Sequence, residues 1–234
     1  MAGDPELAVV DDAAAAAAQG AALIGAQLRA GVAERGRAAL AVSGGRTPQR
    51  MFEILAREPL PWERIDVLQV DERVVPDGHA ERNATQAGAA FAGPMARHPQ
   101  SFHWMPVADA DLDAAAARYA ATLHTVAGRE PLLDVVHLGL GADGHTASIF
   151  PGSALADETR VDVAATGEHL GRRRMTLTLP VINRARLILW VVTGADKCDA
   201  LARLLAGDPS LVASRVRRRG AVIVADLEAA RAIP

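Results

Sequence analysis

The stretch from Leu132 to Pro151 constrains the fold of this chain more than any other segment, because a long apolar run leads directly into a glycine turn. From Leu132 to Leu140 the run is nearly continuous in Leu and Val, with His137 inside it. Such a run is typical of a parallel strand buried on both faces, whereas a half-exposed strand would alternate polar and apolar residues. We therefore predict a central strand of a parallel sheet here.

The glycine turn after this strand presents Asp143 and His145 together. Glycines permit backbone angles and close approaches that side chains forbid, and Pro151 limits the next segment to one short helical turn. We predict that His145 lies at the N-terminus of that turn, where the helix dipole disfavours imidazolium, while Asp143 favours it and fixes the ring tautomer. Together these two effects predict a neutral His145 imidazole, held in a fixed orientation, that can act as a base. The alternative is that His145 caps the turn and Asp143 only shapes it.

The same glycines also satisfy the G-x-G-x-x-G pattern of dinucleotide-binding proteins. That pattern should open a long crossover helix, but Pro151 follows Gly144 by seven residues and the polar His145 occupies the helix start. The match is therefore weak, and we expect no cofactor.

Length and the order of predicted elements indicate one α/β domain. Buried strands repeatedly lead into helices at glycine turns, which predicts a three-layer α/β/α fold with a mostly parallel, Rossmann-like sheet. The chain has 234 residues, enough for one large core, so residues 1–234 are predicted to form a single domain.

Composition excludes several classes of partner and compartment. A net charge of -3 and 3% aromatic residues predict no bulk affinity for nucleic acid or for an anionic membrane. The single cysteine, Cys198, excludes an internal disulfide and is typical of a reducing compartment. The N-terminal region is acidic, unlike a signal peptide, and no segment is apolar enough to span a bilayer, so we expect a cytoplasmic protein.

A candidate anion site follows the predicted strand Ala38 to Val42, in the loop Ser43, Gly44, Gly45, Arg46, Thr47, Pro48. Thr47 as N-cap and Pro48 at the first helical position are ordinary for a helix start. The two glycines also expose backbone N–H groups at a helix N-terminus, which suits a phosphate. A Walker loop is excluded because no Gly-Lys-Ser/Thr follows. The alternatives are a phosphate-binding loop and a plain tight turn.

Charged residues follow the predicted strand Ile65 to Val70, where the chain continues with Asp71, Glu72 and Arg73 and then a loop that holds His79. Ligands of open α/β sheets bind at the carboxyl ends of the strands, so these charges predict a binding edge. Surface capping by charged residues is the alternative.

Two further candidate cations lie in the second half of the chain. Arg174 begins a stretch to Leu179 that alternates polar and apolar residues, as an edge strand does. Leu187 to Thr193 predicts a second deeply buried strand, and Lys197 follows it near another strand-end anion pocket, unless it is simply exposed.

Five motifs in this order resemble the 6-phosphogluconolactonase family: SGG-x-TP, DER-x-VP-x-x-H-x-x-x-N, GLGADGHTAS-x-FP, R-x-TLTLP-x-x-N-x-A and TG-x-x-K. The resemblance spans Ser43 to the region of Asp226, and its Gly-Ala-Asp-Gly-His block is specific. It implies a fold shared with glucosamine-6-phosphate deaminases. Arg46, Arg82 and Val212 depart from residues usual in the family, which concerns loop geometry more than chemistry.

The resemblance also implies roles for single residues: His145 is the general base, and Asp143 and Arg73 lie beside the reacting centre. It further implies that Arg174 and Lys197, with the loop from Ser43 to Thr47, form the phosphate-binding site. The candidate site residues are therefore, for catalysis, His145, Asp143 and Arg73, and, for binding the substrate and its phosphate, Ser43, Gly44, Gly45, Thr47, Asp71, His79, Arg174 and Lys197.

The chemistry of a lactone agrees with this resemblance, because an activated ester needs only a base that deprotonates water and no G-x-S-x-G nucleophile is present. A zinc site from His137, Asp143 and His145 matches no familiar ligand spacing, so we expect no metal. The implied partner is a phosphorylated sugar lactone, with the chain a monomer or a homodimer. Two alternatives stay open. One is an amino-sugar-phosphate isomerase/deaminase, although the resemblance implies that deaminases tend to carry an aromatic residue where this chain has Arg73. The other is a non-catalytic sugar-phosphate sensor.

Overall fold

The computed structural model describes residues 3–233, apart from the side chain of Arg46. The strands within this range are β1 (Glu6–Val10), β2 (Ala38–Val42), β3 (Ile65–Gln69), β4 (Asp71–Arg73), β5 (Phe102–His103), β6 (Val135–Leu138), β7 (Val163–Ala165), β8 (Arg174–Leu177), β9 (Leu187–Val192) and β10 (Ala221–Asp226). The α-helices are α1 (Ala13–Arg35), α2 (Arg46–Leu55), α3 (Asn83–Ala90), α4 (Ala92–Arg97), α5 (Leu112–Ala127), α6 (Leu179–Arg184) and α7 (Cys198–Leu205).

Seven of the described strands form one parallel sheet in the order β1-β10-β9-β6-β2-β3-β5. β6 comes from the apolar run after Leu132, lies fourth of the seven and is buried throughout. The prediction of a central parallel strand is confirmed, because β6 pairs with β2 on one side and with β9 on the other.

Helices cover both faces of this sheet, and the alternation of side chains along each strand divides the core in two. In β2, Leu40 packs into a cluster with residues of α1, α2 and α3. Its neighbours Ala39 and Ala41 point the other way, into a cluster with residues of α5, α6 and α7. The predicted three-layer α/β/α architecture with a mostly parallel sheet is therefore confirmed.

A second, antiparallel sheet of order β4-β8-β7 was not predicted from the sequence. Asp71 to Arg73, predicted as charged residues at the end of the preceding strand, form a separate strand, β4. β8 lies in the middle of this sheet, so the prediction of an edge strand from Arg174 is wrong. The alternation from Arg174 did indicate a strand, but the three residues of β4 are too few to reveal a periodicity. Their register puts Arg73 directly opposite Arg174.

The start of α2 also differs from the prediction. α2 begins at Arg46, and Gly45 occupies the N-cap with φ 131°, a value that favours glycine. Thr47 is therefore not the cap. Its Oγ1 atom lies 2.6 Å from Oγ1 of Thr193, which ties the helix start to the end of β9.

No helix in the described part of the chain is both long enough and apolar enough to cross a membrane.

His137, in the central strand β6, gives a prediction about acid stability. The ring is fully buried, its Nε2 atom has no hydrogen-bond partner among the described residues, and burial lowers its pKa from 6.5 to about 3. As the pH falls, the His137 imidazole becomes protonated near pH 6.5 in the unfolded chain but only near pH 3 in the folded chain. Stability is thus lost as the pH falls between these values, by about 1.4 kcal/mol per pH unit.

Replacing His137 by Leu should remove this penalty. The free energy of unfolding in urea should fall between pH 7 and pH 4.5 by about 2.5 kcal/mol less in His137→Leu than in the wild type. An equal pH dependence in the two proteins would contradict the assignment of a buried neutral imidazole.

Candidate active site

The carboxyl ends of the parallel strands open into a cleft of about 520 Å³, as expected for an open α/β sheet. Loops after β2, β6 and β9 line it on one side, and β4 and β8 bring further residues from the second sheet. Candidate residues from the sequence that line the cleft are Ser43, Gly44, Gly45, Thr47, Asp71, Arg73, His145, Arg174 and Lys197.

Asp143 and His145 form a hydrogen-bonded pair at the rim of this cleft. Nδ1 of His145 lies 2.5 Å from Oδ1 of Asp143, and the His145 backbone N–H donates to the same oxygen at 3.2 Å. Partial burial raises the pKa of Asp143, but the hydrogen bonds from His145 outweigh it and hold that pKa below its ordinary value. An ionised Asp143 accepts the Nδ1 proton, which leaves Nε2 of a neutral ring free to accept a proton.

The prediction that His145 begins a short helix is wrong. Residues 146–149 form a tight turn, in which the Ile149 N–H donates to the carbonyl of Thr146 at 3.0 Å. Ala147 has φ 51°, a left-handed value incompatible with an α-helix. The orientation of the His145 ring therefore depends on Asp143 and on packing, and not on a helix dipole.

Phe150 packs beside the His145 ring and connects it to other parts of the site. The two ring centroids are 4.6 Å apart. His169, from the loop between β7 and β8, stacks on Phe150 at 3.7 Å, and the Arg174 guanidinium lies 5.0 Å from the Phe150 centroid. No sequence signal pointed to His169, because this contact depends on the unpredicted second sheet.

Gly141 leaves the space that the His145 and Asp143 pair occupies, which gives a second prediction. A Cβ atom at Gly141 would lie 2.1 Å from Nδ1 of His145 and 2.5 Å from Oδ1 of Asp143. Gly141 does not have a positive φ, so alanine avoids left-handed strain there, and the three atoms nearest to its methyl group all belong to the pair. We expect Gly141→Ala to lower kcat for lactone hydrolysis, the reaction that the sequence resemblance implies, by about 10²-fold, which is the cost of misplacing a base by about 1 Å.

Gly167→Ala is the matched control, because a Cβ there would meet no atom within 4 Å and Gly167 is not part of the cleft lining. Both variants should unfold at temperatures close to that of the wild type. If Gly141→Ala were as active as Gly167→Ala, the pair would not set the rate.

Arg73 and Arg174 bring two positive charges into the cleft. They lie opposite each other on β4 and β8, and neither forms a salt bridge to any side chain in the described ranges. Burial lowers the pKa of Arg174, with nearby Asp71 opposing this effect and Arg73 adding to it. Like charges opposite each other destabilise a sheet, so this pair indicates a site for an anion.

The loop after β2 is less open to an anion than predicted. The Gly45 N–H donates to Oε1 of Gln86 at 3.1 Å, so the prediction that both glycines expose this group is wrong for Gly45. Ser43 also turns inward, with its N–H 3.4 Å from Nδ1 of His137 and its hydroxyl donating to the His137 carbonyl at 3.1 Å. Within residues 3–233, the Gly44 N–H has no protein acceptor.

His79 does not lie in the cleft lining, contrary to its predicted place in the site, and its Nδ1 atom accepts the Glu81 N–H at 3.2 Å. Arg82, one of the departures from the family pattern, is buried, with Nε 3.4 Å from Oε2 of Glu72. Val212 is also buried, and the side chain of Arg46 lies outside the described residues.

Asn83 and Ser148 were not predicted as site residues, although the motifs contain both. The Ser148 hydroxyl donates to Oδ2 of Asp71 at 2.6 Å, and Asn83 lines the cleft beside Gly44 and Arg73. No group of three or more His, Cys, Asp or Glu side chains that could hold a metal occurs among the residues that the structure describes.

Comparison with known proteins agrees with this geometry. The family described as glucosamine-6-phosphate isomerases/6-phosphogluconolactonase matches residues 11–224. The chain belongs to this family. Among family relatives, it is 41% identical over 191 residues to a 6-phosphogluconolactonase of Synechocystis sp., covering 79% of each chain. It is 36% identical over 232 residues to a 6-phosphogluconolactonase of Mycobacterium tuberculosis, covering 93% of this chain and 94% of the relative.

Solved structures similar to this chain include a 6-phosphogluconolactonase from Trypanosoma cruzi, with a TM-score of 0.88, 26% identity and coverage of 100% of this chain and 98% of that one. A monomeric glucosamine-6-phosphate deaminase superposes with a TM-score of 0.80 at 19% identity, covering 97% of this chain and 99% of that one, and so shares the fold.

Proposed function

We propose that this chain hydrolyses 6-phospho-D-glucono-1,5-lactone to 6-phospho-D-gluconate, the lactonase step of the oxidative pentose phosphate pathway. The observation that carries the proposal is the hydrogen-bonded pair of His145 and Asp143 in a cleft that also holds Arg73 and Arg174 without carboxylate partners among the described residues. Family relatives named 6-phosphogluconolactonase support the substrate. The cytoplasm, expected from the composition, is the compartment we propose, with the chain a monomer or a homodimer.

The reaction uses His145 first as a base and then as an acid. Nε2 takes a proton from a water molecule, whose oxygen attacks the lactone carbonyl carbon and forms a tetrahedral oxyanion. The guanidinium of Arg73 stabilises this oxyanion. The bond between the carbonyl carbon and the ring oxygen then breaks, and protonated His145 returns its proton to that oxygen, which becomes a hydroxyl group. The new carboxylic acid ionises in water.

The phosphate of the substrate binds to Arg174 and Lys197 with the Gly44 N–H and the Thr47 hydroxyl. These four groups line the same cleft, and the Arg174 Nε is buried without a protein partner among the described residues. Charge-assisted hydrogen bonds from a guanidinium and an ammonium group to phosphate are among the stronger polar contacts in proteins. Asp143 keeps the Nδ1 proton on the far side of the His145 ring, so that Nε2 faces the water.

A panel of three substrates tests the proposal: 6-phosphogluconolactone, unphosphorylated gluconolactone and glucosamine 6-phosphate. We expect hydrolysis of the phosphorylated lactone well above its spontaneous rate, slower hydrolysis of the unphosphorylated lactone, and no release of ammonia. Ammonia release without lactone hydrolysis would make the chain a deaminase instead. Binding of phosphorylated sugars with no turnover would make it a sensor.

A further inference from the structure

We propose that Asn83 is a positioning residue, which aims the Arg73 guanidinium at the reacting carbonyl while leaving its charge uncompensated. This inference rests on the proposed lactonase function and adds a residue to that same site.

The contacts of Arg73 carry the first step. Its Nη1 atom donates to Oδ1 of Asn83 at 3.2 Å and to the Glu81 carbonyl at 2.8 Å. Both acceptors are neutral. Across residues 3–233, no carboxylate oxygen lies within 4.0 Å of the guanidinium. Arg73 is thus held in place by neutral oxygens, and the Glu81 carboxylate, which attracts it over a longer distance, is itself paired with Arg172. The charge of Arg73 therefore remains available to an oxyanion in the cleft.

The orientation of the Asn83 amide is fixed by its other neighbours. Nδ2 donates to the Asp71 carbonyl at 2.9 Å and to Oδ1 of Asp71 at 3.3 Å. Reversing the amide would put its oxygen against two acceptors and its NH₂ group against Arg73. The space for the amide comes from Gly44, where a Cβ atom would lie 1.9 Å from Oδ1 of Asn83.

The neighbouring acids Asp71 and Glu72 accept hydrogen bonds from other donors, including the Arg73 backbone N–H, and neither pairs with the Arg73 guanidinium. Glu72 is fully buried and accepts hydrogen bonds from the backbone N–H groups of Asn83 and Ala84, both at 2.8 Å. Asp71 accepts the Ser148 hydroxyl. The Asn83 amide therefore lies between the Arg73 guanidinium and the buried Asp71 carboxylate, while Glu72 has Arg82 as its cationic partner.

A double-mutant cycle tests this role, with kcat and KM measured for the wild type, Asn83→Ala, Arg73→Ala and the double variant on 6-phosphogluconolactone. Loss of a hydrogen bond to a charged group predicts that Asn83→Ala lowers kcat by about 10- to 100-fold with little change in KM. In the Arg73→Ala background the same change should cost less than about 3-fold, because Asn83 then has nothing to position.

Asn183→Ala is the matched control. Asn183 also makes two amide hydrogen bonds, to the Arg217 N–H at 2.7 Å and to the Arg215 carbonyl at 3.1 Å, but lies outside the cleft lining. Its effect should be the same with and without Arg73. If Asn83→Ala does not fold, Asn83→Ser takes its place in the cycle. Equal losses of kcat from the Asn83 variant in both backgrounds would overturn this inference, whereas a wild-type protein without lactonase activity would overturn the proposed function itself.

Discussion

His145→Ala is expected to lower kcat for 6-phosphogluconolactone by about 10²- to 10⁴-fold, the usual contribution of a positioned proton-transfer group. Nε2 of His145 is the group we assign to take the proton from water, and alanine leaves nothing at that place. Binding of the phosphate should stay close to that of the wild type, because the proposed phosphate ligands do not contact the His145 ring through hydrogen bonds. Competitive inhibition by 6-phosphogluconate measures this binding separately from turnover.

Asp143→Asn serves as the graded control for this prediction. The amide keeps the shape of the side chain but loses the negative charge that accepts the Nδ1 proton. We expect a smaller loss, on the order of 10-fold in kcat, since Asp143 acts only through the orientation of His145. A fully active His145→Ala would contradict the mechanism while sparing the substrate assignment.

Lys197→Ala and Arg174→Ala are each expected to lower kcat/KM for the phosphorylated lactone by about 10- to 100-fold, the cost of one hydrogen bond to a charged group. Unphosphorylated gluconolactone should lose far less, because it offers these side chains no phosphate. The ratio of kcat/KM for the two lactones is the quantity that decides. Equal losses on both substrates would mean that neither residue binds phosphate.

Lys197 and Arg174 should differ in one respect. Arg174 packs against Phe150, which in turn packs against His145, so Arg174→Ala should also lower kcat for the unphosphorylated lactone by a few-fold. Lys197 has its Nζ atom 3.0 Å from Oδ2 of Asp196 and makes no such packing contact with Phe150. Lys197→Ala is therefore the cleaner test of phosphate binding.

The sequence predicted the central sheet and most of the candidate site for one physical reason. A strand buried on both faces, such as β6, shows itself as a continuous apolar run, and the carboxyl ends of parallel strands meet at one edge. Residues that directly follow such runs, including Ser43, His145 and Lys197, therefore line one cleft.

Features that depend on short or irregular backbone could not be predicted in this way. β4 has three residues and pairs with a strand about 100 positions later, so neither periodicity nor local propensity reveals the antiparallel sheet that carries Arg73 and Arg174. The turn after Gly144 contains Ala147 at a positive φ, which residue type alone does not predict. Asn83 was missed because its proposed role comes from contacts with two segments distant in sequence, β4 and the loop after β2.

One measurement tests the central claim most directly: the initial rate of 6-phosphogluconate formation, coupled to its dehydrogenase, at several concentrations of the wild-type protein and of His145→Ala. Because the lactone also opens spontaneously, the rate measured without enzyme is subtracted from each initial rate. We predict a rate that rises in proportion to wild-type concentration, with a slope at least about 10²-fold greater than that of His145→Ala. A wild-type protein that leaves the spontaneous rate unchanged would contradict the account.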